Sequence, residues 1–312
     1  DPANACATMA RIAANAELGV NAFNRFNFLR SRIPTPLGPL ESICSSCVRS
    51  QLDIGAKAIV VFTNVMDPAR FIAQYKPSVP VLVVTSNAVV AQQCHGWAAL
   101  HAITTDASSK ATDSFHAAMA DAEKLGYVNL NKHSPEKVVL FSSVAGETIG
   151  TSTTRTCFRV VLFSSTASGR AAGSPPPPGG SALRPAGTPG MKKSVSMGEM
   201  AAHKGYSGSR TLSQRSSKIS LEMITNDTIR VRKTKIFCTL GPACWEEDQL
   251  AELLHAGCNV ARFNFSHGDH AGHQKVLDRF RKVCAEKGST AAVLLDTKGP
   301  EIRTAMLRDG KD

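Results

Sequence analysis

In the stretch NVARFNFSHG (259–268), Arg262, Asn264 and Ser266 recur at every second position, and Ala261, Phe263 and Phe265 fill the alternate ones. Successive side chains of a β-strand face opposite ways, so one face of this segment is apolar and the other carries a guanidinium, an amide and a hydroxyl. A second stretch, LLDTKGPEIRT (294–304), adds Asp296, Thr297 and Arg303. Asn, Ser, Asp and Thr are oxygen donors, the ligand type a hard cation takes, and a single carboxylate among them suits a monovalent ion better than a divalent one. The two arginines can hold phosphate oxygens in bidentate fashion. Taken singly, Asn264 and Ser266 serve equally well to end a strand and satisfy the turn after it, and Asp296 to begin a loop. Taken together they point to a ligand, because isolated polar groups on a buried strand face cost free energy unless something meets them.

The elements that must position these residues follow a strand and helix alternation. The expected order is strand 234–240, helix 245–256, strand 259–265, helix 270–287 and strand 291–297. This suits a doubly wound sheet or a (β/α)8 barrel, whose chemistry sits at the C-terminal ends of its strands, cut short. Three strands cannot close a barrel alone. Upstream, residues 1–31 read as one helix broken by Pro34 and Pro36. They precede a helix over 40–55, strand 56–63, helix 68–75, strand 79–85, helix 87–95, a strand near 99–104, a helix over 109–125, and strands 137–143 and 157–163. Wholly apolar strands such as AIVVF alternating with helices predict a mostly parallel sheet covered on both faces. The loop VAGETIGTSTTR would join the last pair in antiparallel fashion.

Between these halves, TASGRAAGSPPPPGGSALRPAGTPG (166–190) is rich in Pro, Gly, Ser and Ala and reads as a disordered tether. The net charge is +11 over 312 residues, and its excess sits there: +9 falls in 166–235, against +3 in 1–165 and −1 in 236–312. That segment lacks the stacking aromatics of single-strand binders, so it reads as a solvated basic linker and not a nucleic-acid surface. No apolar run approaches the roughly 18 residues that span a bilayer. The chain starts DPANACATMA, without an initiator Met or an apolar leader, and reads as a fragment without a secretory signal. Nine scattered cysteines do not make a disulfide framework, and a reducing, cytoplasmic setting fits. Cys44 and Cys47 form one CxxC within a helical stretch, with no second pair near it for zinc. His267, His270 and His273 also hint at zinc, but steps of three drift round a helix, and Asp269 is a good N-cap for the helix that follows.

TKIFCTLGPAC, AGCNVARFNFSHGDHAGH and LLDTKGPEIRT together resemble the opening of pyruvate kinase, in order and spacing over about 80 residues. The resemblance implies an α/β protein with an incomplete TIM barrel, its first three β/α units. In it Arg262 contacts the phosphate of phosphoenolpyruvate, Asn264, Ser266, Asp296 and Thr297 ligate K+, and His267 and Arg303 lie on the nucleotide (ADP/ATP) side. PANACATMARIAANAE resembles the last barrel helix of the same family, and GAKAIVVFTNVMDPARFIAQYKPSVPVLVVTSN its C-terminal α/β domain. The implied divisions are 1–33 (last barrel helix), 34–165 (C-terminal-like α/β domain), 166–232 (linker) and 233–312 (barrel start). In members activated by sugar phosphates, the loop after the first strand of the α/β domain is a Ser/Thr, Gly and basic cradle. Here it is Thr63, Asn64, Val65, Met66, Asp67 and Pro68, and a carboxylate there repels phosphate.

The order is inverted relative to the family. The lid domain, the later barrel strands, the catalytic lysine and the acidic Mg2+ ligands are missing from the pattern, and Lys298 does not stand in that lysine's motif. Three readings follow. One is the junction of two tandem pyruvate kinase units, with Met191 as an in-frame start after the tether; it is inactive alone and belongs to a homo-oligomer, the family tetramer. Another is a non-catalytic oligomerisation or ligand-sensing protein, and the last a nucleic-acid binder acting through the tether.

Overall fold

The runs AIVVF and VLVVT carry no polar face, so a sheet containing them must be covered on both sides. In the computed structural model, which describes residues 1–106, 111–124, 136–148, 151–163 and 232–300, they form neighbouring parallel strands. These are β1 (Ala58–Phe62) and β2 (Val81–Thr85). With β3 (Leu100–Thr104), β4 (Glu136–Thr148) and β5 (Thr151–Phe163) they make a five-stranded sheet ordered β3-β2-β1-β4-β5. All neighbours are parallel except β4 and β5, which pair antiparallel from Glu136↔Phe163 to Thr148↔Thr151. Both strands extend further than the 137–143 and 157–163 expected. Much of VAGETIGTSTTR, expected as a loop, is paired strand.

The pleat sorts this sheet's side chains into two cores. Ile59, Val61, Val81, Val83, Val139 and Phe141 face one side. There they meet Cys44, Cys47 and Val48 of α3 (Pro39–Ile54) and Ala69, Ile72 and Ala73 of α4 (Met66–Gln74). Ala58, Val60, Leu82, Val84 and Val138 face the other, under Phe115, Ala118, Met119 and Ala122 of α6 (Ala111–Lys124). Helix α3 starts at Pro39 and stops at Gly55, whose φ of 65° gives the left-handed cap that a Cβ would disfavour. Cys44 and Cys47 are fully buried within it. The short α5 (Ala88–Gln93) follows β2, capped by the Asn87 side chain.

The single helix expected over 1–31 is two helices. Helix α1 (Pro2–Ala16), capped by the Asp1 carboxylate, ends in a 3-10 turn over Glu17–Gly19, and α2 (Ala22–Arg32) begins anew where the Asn21 side chain accepts from Asn24 N–H. An Asn N-cap just after Gly19 breaks the run, and an apolar stripe alone does not report such a break. The two helices serve different cores. Phe26 of α2 packs into the five-stranded domain beside Tyr75, whereas Cys6 of α1 packs among residues from beyond position 235.

Those residues build a three-stranded parallel sheet, β6 (Phe237–Thr239), β7 (Val260–Asn264) and β8 (Ala292–Asp296), in that order. It is wound with α7 (Glu247–His255) and α8 (His270–Lys287). Leu250, Leu253, Val276, Phe280 and Val283 of these helices cover Ala261 and Phe263 of β7. Asp269 caps α8 by accepting from Gly272 N–H at 2.6 Å, and the helix stops at Gly288. Three strands leave the sheet open, and Val293, Leu294 and Leu295 of the outer strand stay exposed. Among the described residues no helix is long and apolar enough to cross a membrane.

Candidate functional site

Register sets which side chains share the face of the small sheet turned away from α7 and α8. Thr239 pairs with Arg262, Arg262 with Leu294 and Asn264 with Asp296, so Thr239, Arg262, Asn264 and Asp296 all point to the side away from α7 and α8. They lie at or next to the C-terminal ends of three parallel strands, where a βα sheet presents polar groups to a ligand.

Arg262 is the hub. Its Nε and Nη2 donate to Asp296 Oδ2 at 3.0 and 2.5 Å, and its Nη1 donates to Thr239 Oγ1 at 2.7 Å. Among the described residues, three of the five N–H donors of the guanidinium are engaged. The Arg262 and Asp296 side chains are 32% and 43% exposed, so the pair is open to solvent and its exchange for another partner costs little. Thr239 was not singled out in the sequence. Its signal was the register of two adjacent parallel strands, which no single motif carries.

Asn264 Oδ1 accepts from Ser266 N–H at 3.1 Å, a local contact that turns the chain out of β7. Thr297 follows Asp296 directly and is exposed. Asn264 and Asp296 are paired in register at the ends of these two strands, and Ser266 and Thr297 follow them closely in the chain. Asn264, Ser266, Asp296 and Thr297 are carried on two adjacent strand ends. Arg303 lies outside the described residues.

The histidines do other work. His267 is exposed, its carbonyl accepting from the His273 ring at 2.8 Å, and His273 stacks on Phe265 with centroids 4.5 Å apart. His270 lies against the same ring at 5.6 Å. Among the described residues no three His, Cys, Asp or Glu side chains gather closely enough to hold a metal ion.

In the larger domain, the loop after β1 is satisfied from within. Asn64 Oδ1 accepts from the Thr85 hydroxyl and from Ser86 N–H, both at 2.9 Å, and Thr63 Oγ1 donates to Val65 O. Asp67 sits in the first turn of α4 and pairs with Arg70 at 3.0 Å.

Basic groups converge where the two halves meet. Lys235 Nζ donates to Leu100 O at 2.5 Å, and His95 Nε2 lies 2.8 Å from Thr290 Oγ1. Burial, with the charge of Arg232, brings the Lys235 amine down to about 8, and burial, with the charge of Lys235, brings His95 down to about 4.

Fold and site define an α/β protein whose smaller sheet offers an arginine and a cluster of oxygen donors at its strand ends. Residues 41–160 match the pyruvate kinase alpha/beta domain, and residues 231–312 match the pyruvate kinase barrel domain. The chain belongs to the pyruvate kinase family, with its alpha/beta domain placed ahead of its barrel start. It is 59% identical over 80 residues to the pyruvate kinase of Staphylococcus saprophyticus, 26% of this chain and 14% of that protein. To the cytosolic isozyme of Nicotiana tabacum it is 55% identical over 84 residues, 27% of this chain and 16% of that one. The aligned region thus spans about one sixth of these relatives or less. The solved structure of Cryptosporidium parvum pyruvate kinase in complex with ADP is similar over 46% of this chain and 27% of that chain, at a TM-score of 0.41 and 20% identity.

Proposed function

We propose that the chain carries part of the phosphoryl-transfer site of a pyruvate kinase, the glycolytic enzyme that moves a phosphoryl group from phosphoenolpyruvate to ADP, giving pyruvate and ATP. The observation that carries this reading is the Arg262–Asp296 pair at the ends of adjacent parallel strands, with Asn264 in register beside it. Arg262 binds the phosphate of phosphoenolpyruvate, releasing Asp296 as the anion arrives. Asn264, Ser266, Asp296 and Thr297 would hold K+, which supplies positive charge next to the phosphoryl oxygens. His267 and Arg303 border the nucleotide. Thr239 orients the guanidinium through the contact with Nη1.

Phosphoryl transfer also needs Mg2+ and a cationic general group positioned on the phosphoryl oxygens. In this reading the family's acidic magnesium ligands and its lysine lie outside this chain, so the chain binds substrate but does not turn it over alone. The segments 1–33, 34–165, 166–232 and 233–312 act as the last barrel helix, the α/β domain, the linker and the barrel start at a junction of two tandem units. Assembly is homo-oligomeric and the setting cytoplasmic, with neither nucleic acid nor membrane as a partner; the relatives from Nicotiana tabacum and Glycine max are named cytosolic isozymes.

A second reading, a non-catalytic oligomerisation or ligand-sensing protein, draws on one contrast. The five-stranded sheet has both faces covered, whereas the small sheet, among the described residues, keeps an exposed outer strand. Calorimetric titration of the whole chain with phosphoenolpyruvate, in K+ and then in Na+ buffer, separates the two. Binding at least about tenfold tighter in K+ supports the kinase reading, and binding indifferent to the cation, or none, removes it.

A further inference from the structure

The seam between α1 and β6 contains sulfur on both sides. Cys6 Sγ lies 3.9 Å from Cys238 Sγ across 232 positions of sequence, and it also points at Ala256 O at 3.7 Å. Both sulfurs belong to the core that binds α1 to the small sheet, with Ile236, Leu240 and Cys258 around them. Cys258 also touches Cys238, but its Sγ points at the Val260 carbonyl at 3.5 Å, and two other cysteines lie against carbonyls of their own surroundings. Cys44 Sγ faces the Pro68 carbonyl, and Cys244 Sγ that of Gly241. Cys6 is 4% exposed and Cys238 half-buried, so a small reagent reaches Cys238 first and finds Cys6 behind it. A disulfide needs the sulfurs at about 2.05 Å, and the remaining gap of roughly 2 Å is within the reach of side-chain rotation and a small shift of α1.

We propose that Cys6 and Cys238 form a reversible disulfide that fastens the N-terminal helix to the first strand of the barrel start when the chain meets a low-molecular-weight disulfide. This inference does not rest on the catalytic reading. The Cys238 thiolate attacks one sulfur of the reagent RSSR, the S–S bond breaks, and the departing RS⁻ takes up a proton. The Cys6 thiolate then attacks Cys238 Sγ in the mixed disulfide and expels the second RS⁻, which takes the proton Cys6 gave up. Two thiols are oxidised and one disulfide is reduced to two RSH.

The thiols are held protonated at neutral pH. Contact with Cys258 and burial push Cys238 up to about 12, and contact with Cys238 and burial push Cys6 further still. The thiolate fraction, and with it the rate, therefore rises about tenfold for each unit of pH between 7 and 9. Such a bridge forms slowly and opens under a reducing poise, as befits a transient bond in a reducing setting.

The test is incubation of the whole chain with oxidised glutathione at pH 7, 8 and 9, quenching with iodoacetamide, and non-reducing peptide mass spectrometry. The expected product joins the peptide of residues 1–11 to that of residues 236–262. It should persist in Cys258→Ser and Cys244→Ser, vanish in Cys238→Ser and Cys6→Ser, and form about 100-fold faster at pH 9 than at pH 7. A wild-type chain in which Cys6 is carbamidomethylated while Cys238 carries glutathione overturns the proposal, as does a product joining Cys238 to Cys258. Because residues 236–262 also carry Cys244 and Cys258, fragmentation of the wild-type cross-linked peptide must place the bridge on Cys238, and a variant that misfolds does not blur that assignment.

Discussion

The carboxylate of Glu17 accepts hydrogen bonds from the backbone N–H of Lys233 at 2.9 Å and of Thr234 at 2.7 Å, and Lys233 Nζ closes an ion pair on it at 2.9 Å. The side chains are only 12% and 22% exposed, so this pair is far better sheltered than a surface salt bridge. Together with the Cys6 contacts, it fixes the end of α1 to the strand that opens the small sheet.

Removing that carboxylate should loosen the junction. Glu17→Ala leaves two backbone N–H groups and an ammonium without their acceptor and should cost about 2–3 kcal/mol. Hydrogen exchange at residues 233–239 should accelerate, while exchange in β1 and β2 stays unchanged.

Acid should act on the same carboxylate. Burial alone would raise its pKa, but the hydrogen bonds from Lys233 and Thr234 and the Lys233 charge outweigh burial and hold it below the ordinary 4.5. A lowered pKa means stability present above 4.5 and lost as the pH falls through the folded-state value. The Glu17-dependent protection should therefore decline only below about pH 4.5, and in Glu17→Gln, whose amide oxygen still accepts from both N–H groups but carries no charge, that acid dependence should be lost.

His95 opens a second, milder window. Held down at about 4 by burial and by Lys235, it is neutral in the fold, whereas the unfolded chain takes up a proton below 6.5. Stability is full above 6.5 and declines as the pH falls toward 4, by on the order of 2 kcal/mol. His95→Gln keeps a polar partner for Thr290 and should flatten that decline. Urea midpoints measured from pH 7 to pH 4 would show it.

Arg262→Lys separates fold from binding. The exposed pair with Asp296 contributes under about 1 kcal/mol, so the denaturation midpoint should hardly move. A lysine cannot offer paired planar donors, and affinity for phosphoenolpyruvate in K+ buffer should drop by about 10- to 100-fold. Equal loss of affinity and stability would mean that the arginine is structural.

Gly257 has a φ of 108°, and a Cβ there would stand 3.1 Å from Arg232 Nη2, which itself donates to the Gly257 carbonyl at 2.6 Å. Gly257→Ala should destabilise the small sheet by about 2 kcal/mol, read as a lowered thermal midpoint of its transition.

What could be read in the letters were features that repeat along the chain. Unbroken apolar strands announced the covered parallel sheet, and the alternation of Arg262, Asn264 and Ser266 announced a polar face on β7. Helix α8 was readable from Asp269 to Lys287 because cap and stop are both local. What escaped depended on distance. Nothing near Glu17 says that its partners lie more than 200 residues on, and Thr239 gains its place beside Arg262 only through strand register. Residues 1–31 were misread as one helix because the Asn21 cap weighs little against a long run of helix formers. Arg303 and the tether 166–190 lie outside the described residues.

The meeting of α1 with β6 joins the two halves through side-chain contacts, in addition to the peptide chain that links them. Two polypeptides made from separate messages, one stopping before that connection and the other starting after it, ought to recognise each other in a test tube and migrate as one species.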